Sequence, residues 1–354
     1  MADAKPTRAE LGESAFKAWG GRKPKVLLHG GFSHRDLVVR DGHLYVSEED
    51  SGEISRLPVG GGVPLVLAQV HRPGAMVVAN GSLYAITHDP ERNPNQGSGR
   101  IVRMPIEGGE PEVLAKDLVN PVTFAVDGHR IVVACDGPFD YDTREEPRGS
   151  IVLVDGDQKP TTLARRLRRP QEVAFVGDEI YWIEMGMKHP TYFGDGALRR
   201  MQPVRGAKRW VVRKNLPMPG GLLIDRDNVY FSTSTTYSSS APGAVYARPR
   251  AGGKPEEIAW TFDREGVLMA MDDTHLYRLS SSGGVLRRFS KRDDDGEGEQ
   301  LFESIERPTL ACALALDAEN IYWAITNAPG VGGAVWSMRK NRGTSGPLEP
   351  TSVN

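Results

Sequence analysis

Apolar and polar positions along this chain repeat with a period of about 40 to 50 residues. In each of seven repeats, a short apolar run carries a Tyr or Val at an equivalent position. Another apolar run, which ends in a turn such as Asp-Gly or Asn-Gly, precedes it. Two apolar runs joined in this way predict a β-hairpin. The equivalent residues are Tyr45, Tyr84, Val132, Tyr181, Tyr230, Tyr277 and Tyr322.

Two further strand-like runs follow each hairpin. The third run opens with Gly in most repeats, and the fourth follows a Gly-rich turn in a pattern close to GGxPxxLA. Only six of the fourth runs lie downstream of a third one. The missing one is found near the N-terminus, where residues 20–29 read GGRKPKVLLH. We therefore expect this segment to pair with the last third strand, AVWSM, and to complete the final repeat.

This pattern predicts an all-β fold, a seven-bladed β-propeller whose last blade is closed by an N-terminal outer strand. Both faces of a blade pack against neighbouring blades, which explains why the inner strands are nearly continuous apolar runs. We expect an N-terminal extension over residues 1–19, with a short surface helix at 8–18. The propeller is expected over residues 20–342, followed by a flexible C-terminal tail over 343–354.

The repeat also resembles a known group. Its order is IYW, a strand opened by Gly, GGxPxxLA, and a Pro before the next inner strand. This order is similar to YWTD-like and NHL-like propeller repeats, and to those of bacterial propeller proteins of unassigned function. The resemblance covers nearly the whole chain and implies the fold. Such propellers include binding modules, scaffolds, lyases and lactonases, so it does not define a function.

Long connections between predicted second and third strands mark one face of the propeller as the functional one. They span residues 87–99, 135–149, 184–196, 232–243 and 325–333. Binding residues are usually found on long loops held by a rigid scaffold. The candidate ligand-binding residues on this face are Asp89, Asp136, Phe139, Asp140, Tyr141, His189, Tyr192 and Tyr237.

A smaller set on the same face is suited to acid–base or metal chemistry. The catalytic candidates are His34, His71, His88 and Glu184. Asp136 and Glu184 are candidate ligands for a divalent cation such as calcium, because carboxylate oxygens are its preferred ligands. The alternative is that these are solvated loop residues, some of them forming Asx turns. The sequence contains no established catalytic or metal-binding motif that would support acid–base or metal chemistry over solvated loop residues.

Composition narrows the choice of partners. The 354 residues carry a net charge of −2, and no basic groove interleaved with aromatic residues is apparent, so nucleic acid is not an expected partner. No window reaches the roughly 18 consecutive apolar residues of a membrane-spanning helix. The N-terminus lacks the apolar segment of a secretory signal, which predicts a cytoplasmic protein as written and an extracytoplasmic one if the chain is a processed form. Cys135 and Cys312 are predicted to be free thiols in different blades.

Two functional hypotheses remain open. The first is a monomeric binding or scaffold protein whose long-loop face and channel mouth bind a protein, peptide or glycan. The second is a propeller enzyme of the lyase or lactonase/hydrolase type, with acid–base or metal-assisted chemistry at the channel mouth. Titratable side chains that converge at the channel would favour the enzyme, and a broad aromatic surface would favour the binding protein.

Overall fold

A computed structural model gives the architecture of the chain. The structure describes residues 16–18, 22–30, 33–93, 95, 97–138, 148–156, 158–186, 194–234, 243–261, 267–280, 284–292, 298–304, 310–328 and 332–341. These residues form seven antiparallel sheets. Six sheets have four strands and one has five, with sequential strands adjacent in each. The all-β, seven-bladed propeller predicted from the repeat is therefore confirmed.

Each blade runs from an innermost to an outermost strand. Blade 1 comprises His34–Arg40, His43–Glu48, Glu53–Pro58 and Leu65–Gln69. Blade 2 comprises Met76–Ala79, Ser82–His88, Gly99–Pro105 and Glu112–Leu118. Blade 3 comprises Pro121–Asp127, Arg130–Cys135, Gly149–Asp155 and Thr161–Leu167. Blades 4 and 5 comprise Pro170–Val176, Glu179–Glu184, Gly196–Met201 and Trp210–Leu216; and Pro219–Ile224, Asn228–Thr233, Gly243–Pro249 and Glu256–Thr261. Blades 6 and 7 comprise Val267–Met271, His275–Ser280, Val285–Ser290 and Glu299–Ser304; and Leu310–Leu316, Asn320–Ala328 and Gly332–Arg339.

Two N-terminal strands pair with the outer edges of the last two blades. Lys25–His29 pairs antiparallel with Gly332–Arg339 as the outermost strand of blade 7. Phe16–Ala18 pairs with Glu299–Ser304 and forms a fifth strand on blade 6. The expectation of a helix over residues 8–18 was therefore wrong at its C-terminal end. A strand edge was available there, and backbone pairing along an open edge satisfies donors and acceptors that water would otherwise have to satisfy.

The innermost strands form a closed ring. The innermost strand of each blade contacts that of the next, and the innermost strand of blade 7 contacts that of blade 1. Among the described residues, one buried apolar cluster lies between each pair of neighbouring blades. Between blades 6 and 7, for example, Trp323 stacks on Phe302 with 4.9 Å between ring centroids and lies 6.2 Å from Trp336. The repeat aromatics therefore fill the space between blades, where most of the apolar surface is buried.

A hydrogen-bonded cluster of one Tyr, one Asp and one Lys recurs at the turn between the first and second strands of blades 5 and 6. The Tyr277 hydroxyl donates to Asp272 Oδ2 at 2.9 Å, and Lys340 Nζ, which follows the third strand of blade 7, donates to the same oxygen at 2.9 Å. Tyr230, Asp225 and Lys291 repeat the arrangement one blade earlier. Each such cluster ties a turn of one blade to the next blade through charge-assisted hydrogen bonds.

The Gly that opens the third strand has a steric cause. A Cβ atom added to Gly149 would lie 2.3 Å from Cδ of Pro170, the proline that opens the next innermost strand. Only Gly allows this approach without a shift of the backbone. The residue before that proline, Arg169, has φ 55°, which directs the connection over the end of the blade. The Gly and Pro of the repeat therefore fix how neighbouring blades meet at the face that surrounds the channel.

Candidate functional site

A ring of equivalent residues lines the central channel. In every blade, the second strand pairs its repeat Tyr or Val with a residue of the innermost strand, for example Tyr45 with Val38 and Tyr181 with Ala174. The residue two positions before that partner lines the channel in all seven blades. In blade order these residues are Asp36, Ala75, Thr123, Glu172, Gly221, Leu268 and Ala313. We call this set the channel ring.

The channel holds a cavity of about 610 Å³ that opens on the face of the long loops. Its walls differ in character. Blades 1 to 4 contribute polar groups, including Asp36, Thr123 and Glu172, whereas blades 5 to 7 contribute mainly apolar ones, including Leu222 and Leu314. A cavity of this size with one polar and one apolar wall suits a small amphipathic molecule.

Asp36 of the channel ring is held by backbone donors. Its Oδ2 accepts the Met76 amide at 2.6 Å and its Oδ1 accepts the Leu37 amide at 2.8 Å, so it links the innermost strands of blades 1 and 2. Burial raises the pKa of Asp36 to about 6, although both hydrogen bonds act to lower it. Asp36 therefore has a structural role as well as a charge directed at the channel.

Glu172 has no such support. Among the residues that the structure describes, none donates a hydrogen bond to its carboxyl group or forms an ion pair with it. Burial and, secondarily, the charge of Asp36 raise the pKa of Glu172 to about 7. Both the acid and its conjugate base are therefore populated near neutral pH. A carboxyl group of this kind in a cleft is a functional-site candidate, because desolvation without compensation is costly and serves no packing purpose.

The predicted carboxylates of the loop face that the structure describes each lie near an arginine. Asp89 pairs with Arg100, and Asp136 lies 3.8 Å from Arg169 Nε. The predicted cation ligand Glu184 lies inside blade 4, where Oε1 accepts from Trp182 Nε1 at 3.1 Å and lies 2.7 Å from Arg199 Nε. A further rim carboxylate, missed in the sequence, is Glu49, which accepts hydrogen bonds from two arginines. The described rim therefore has little net negative charge, unlike the channel ring below it.

Asp136 is the rim carboxylate closest in character to Glu172. It lines the channel cavity, and its Oδ1 is buried without a hydrogen-bond partner. Burial raises its pKa, against the lowering effect of Arg169. Asp136 is thus one predicted ligand-binding residue that does face the cavity.

The three histidines predicted as catalytic candidates do not all line the channel cavity. His88 lines the channel cavity, its Nδ1 is 2.9 Å from Ser98 Oγ, and burial together with the nearby Arg72 charge lowers its pKa to about 4, so it is neutral at pH 7. His71 lies beside it at the rim, where its carbonyl accepts the His88 amide at 2.9 Å. His34 is 2% exposed and lines a separate pocket of about 170 Å³ between blades 7 and 1. Burial lowers the pKa of His34 as well.

The remaining candidates fall outside the described residues: Phe139, Asp140, Tyr141, His189, Tyr192 and Tyr237. Within the described part of the chain, no group of three or more His, Cys, Asp or Glu side chains is placed to hold a metal ion. In the same part, no helix has the length and hydropathy needed to cross a bilayer. Cys135 and Cys312 are free thiols, as predicted.

Comparison with known proteins identifies the fold. No family model and no curated protein matches this sequence. Among solved structures, the PQQ-bound aldose sugar dehydrogenase from Streptomyces coelicolor matches with a TM-score of 0.51 and 14% identity, over 91% of this chain and 99% of that one. The calcium-binding protein regucalcin from Agrobacterium tumefaciens matches with a TM-score of 0.51 and 13% identity, over 91% and 95%. A chain of a nidogen/laminin complex matches with a TM-score of 0.47 and 16% identity, over 70% and 92%.

At these identities the similarity shows the fold alone. The protein is a seven-bladed β-propeller, a class that includes both enzymes and binding proteins, and its function has to be argued from its own channel.

Proposed function

We propose that this protein binds a small hydroxyl- or amino-bearing molecule in the central channel and exchanges a proton with it through Glu172. The observation that supports this is the Glu172 carboxyl group, which faces the cavity without a hydrogen-bond or ion-pair partner among the described residues and has a pKa of about 7. General acid–base catalysis is most effective when the pKa of the group lies near the working pH.

The channel provides the other contacts that such a ligand needs. Protonated Glu172 donates a hydrogen bond to a ligand oxygen, and ionised Glu172 accepts one from a hydroxyl or an ammonium group. Asp36, whose backbone hydrogen bonds hold it in place, adds negative charge across the ring. The apolar wall, with Leu222, Leu268 and Leu314, packs against the carbon skeleton of the ligand.

This proposal places the ligand in the channel rather than across the long-loop face. The cavity and the uncompensated carboxyl group lie in the channel, whereas Asp89 and Glu49 at the rim are paired with arginines. The terminal unit of a glycan fits the same chemistry as a free sugar. A protein or peptide partner would instead contact the rim, and its binding would be insensitive to Glu172.

The test is proton-linked ligand binding. Wild-type protein, Glu172→Gln and the control Asp178→Asn, which removes a charge from an exposed turn of the same blade, are screened by thermal shift and calorimetry against monosaccharides, hydroxy acids, amines and calcium chloride. We expect binding by wild type and the control whose affinity changes with pH around 7, and loss of that pH dependence in Glu172→Gln. Equal binding by all three proteins at every pH would contradict the proposal, as would binding of calcium alone.

A further inference from the structure

Two arginines converge on one carboxylate at the mouth of the channel. Arg35 immediately precedes Asp36 in the innermost strand of blade 1, and Arg72 lies in the connection from blade 1 to blade 2. Arg72 Nε donates to Glu49 Oε1 at 2.8 Å, and Arg35 Nε donates to Glu49 Oε2. All three side chains line the same cavity as Glu172. Two guanidinium groups against one carboxylate leave an excess of one positive charge at this point.

The arginine pair has donors left for a ligand. Guanidinium groups carry several N–H donors in a planar fork that matches a carboxylate. Arg35 uses only Nε on Glu49, and the side chains of Arg35 and Arg72 are 54% and 42% exposed. The neighbouring His88 is neutral at pH 7, so it does not change the net charge at the mouth. The mouth of the channel therefore carries one excess positive charge and N–H donors that suit an anion, although the ring below it is acidic.

The backbone at this point also departs from the ordinary. Arg72 has φ 49°, in the left-handed region that non-glycine residues seldom adopt, and it directly precedes Pro73. The connections into blades 3, 4 and 5 place Asn120, Arg169 and Met218 in the same conformation before a proline. The conformation therefore belongs to the repeat. Only the connection from blade 1 to blade 2 combines this conformation with a carboxylate shared by two arginines, since Arg72 and Arg35 both donate to Glu49 among the described residues.

The channel is thus polarised along its length. An anion is favoured at the mouth by Arg35 and Arg72, while a hydroxyl or ammonium group is favoured at the ring by Asp36 and Glu172. Like-charge contact would disfavour a simple cation at the mouth and a simple anion at the ring. A molecule with a carboxylate at one end and a hydroxyl or amino group at the other satisfies both positions.

We propose that Arg35 and Arg72 form the carboxylate subsite of the channel, so that the ligand is a small hydroxy acid or amino acid. This inference rests on the proposed function, since it assigns the second end of the ligand that Glu172 contacts. The carboxylate lies at the mouth, beside Glu49, and the hydroxyl or amino group lies at the channel ring. The carbon chain between them packs on the apolar wall of blades 5 to 7.

Matched ligand pairs test the subsite. Hydroxy and amino acids are compared with their primary amides by calorimetry at pH 7, using wild type, Arg35→Gln, Arg72→Gln and the control Arg40→Gln. Arg40 is an exposed residue at the other end of the Arg35 strand. Because a lost charge-assisted hydrogen bond costs at least about a factor of ten in affinity, we expect Arg35→Gln and Arg72→Gln to weaken acid binding about tenfold or more. Amide binding and the control should be unchanged.

The outcomes separate this inference from the proposal on which it rests. If acids and amides bind wild type equally, or if no compound of the panel binds, the carboxylate subsite is wrong. If the arginine variants leave acid binding intact while Glu172→Gln abolishes its pH dependence, the subsite is wrong and the proton-exchanging role of Glu172 stands. If acids depend on the arginines but not on Glu172, the subsite stands and the proposed role of Glu172 is wrong.

Discussion

Replacing Glu172 by Gln should stabilise the protein at alkaline pH. Glu172 is half-buried, and no described residue compensates its charge, so the folded chain favours the neutral carboxyl group. Gln has nearly the same shape and is neutral at every pH. The substitution therefore removes the cost of ionising this group and leaves the packing of the channel ring almost unchanged.

The magnitude follows from the shift. Burial first, and the charge of Asp36 second, raise the pKa of Glu172 from 4.5 to about 7. At about 1.4 kcal/mol per pKa unit, the full shift corresponds to roughly 3 kcal/mol. Folding raises the pKa of Glu172, so its neutral carboxyl group contributes fully to the free energy of unfolding below about pH 4.5. That contribution is lost as the pH rises to about 7 and the group ionises. Water in the open channel reduces the effect, so we expect a gain of about 1.5 kcal/mol at pH 8 and less than about 1 kcal/mol at pH 5.

Urea denaturation of wild type and Glu172→Gln at pH 5 and pH 8 measures this difference, with circular dichroism as the signal. Asp178→Asn is the matched control, because it removes a carboxylate from an exposed turn of the same blade. The control should leave the free energy of unfolding unchanged within about 0.5 kcal/mol. A Glu172→Gln protein that is less stable than wild type at pH 8 would show that the carboxylate has stabilising partners, and the reasoning about its pKa would fail.

Three further predictions concern the scaffold. Deleting residues 1–30 removes the outermost strand of blade 7 and should lower the free energy of unfolding by about 3 kcal/mol or more, whereas deleting residues 1–15 should not. If the protein without residues 1–30 melts at the wild-type temperature, closure of the ring by this strand is rejected. Asp272→Asn should cost about 1–3 kcal/mol at pH 7, through loss of its lysine and tyrosine partners. Hydrogen bonds outweigh burial and hold the pKa of Asp272 below its usual range, so this difference should shrink below about pH 4; a loss independent of pH would contradict the ion pair. Gly149→Ala should cost about 1–3 kcal/mol by overpacking, and Gly60→Ala, with no atom within 4 Å, should cost less when both are measured by calorimetry.

The fold was predictable because each blade meets the same packing requirements and therefore carries the same residue types at the same positions. The Tyr and Val residues at one repeat position fill the spaces between blades, so they had to recur. The Gly and Pro residues recur because each pair meets at a blade junction, as Gly149 and Pro170 do. The N-terminal strand was predictable for the same reason, since residues 20–29 carry the fourth-strand pattern. The strand at Phe16–Ala18 was not, because a segment that pairs only with a free edge needs no periodic pattern.

The residues that line the channel cavity were predicted only in part. His88 and Asp136 were chosen from the long loops and do line the cavity, whereas Glu184 was chosen by the same rule and lies inside its blade, bonded to Trp182. His88 and Glu184 are both the last residues of second strands, where successive side chains point to opposite faces, so the start of a long loop does not show which way either side chain points. Both Arg35 and Glu49 lie next to strand ends, where an isolated charge gives no indication that a partner lies opposite it.

The channel ring would have been a better guide to the candidate site. Aligning the innermost strands on the partner of the repeat Tyr or Val gives a column that reads Asp, Ala, Thr, Glu, Gly, Leu and Ala from blade 1 to blade 7. Because this column faces a shared axis, any two of its polar members lie in one cavity whatever the loops do. Asp36 in this column is compensated by backbone amides, whereas Glu172 has no hydrogen-bond or ion-pair partner among the described residues, so a bound ligand would supply what its carboxyl group lacks. In a propeller, a charge that interrupts the apolar pattern of an innermost strand therefore indicates a site more directly than many charges in a long loop.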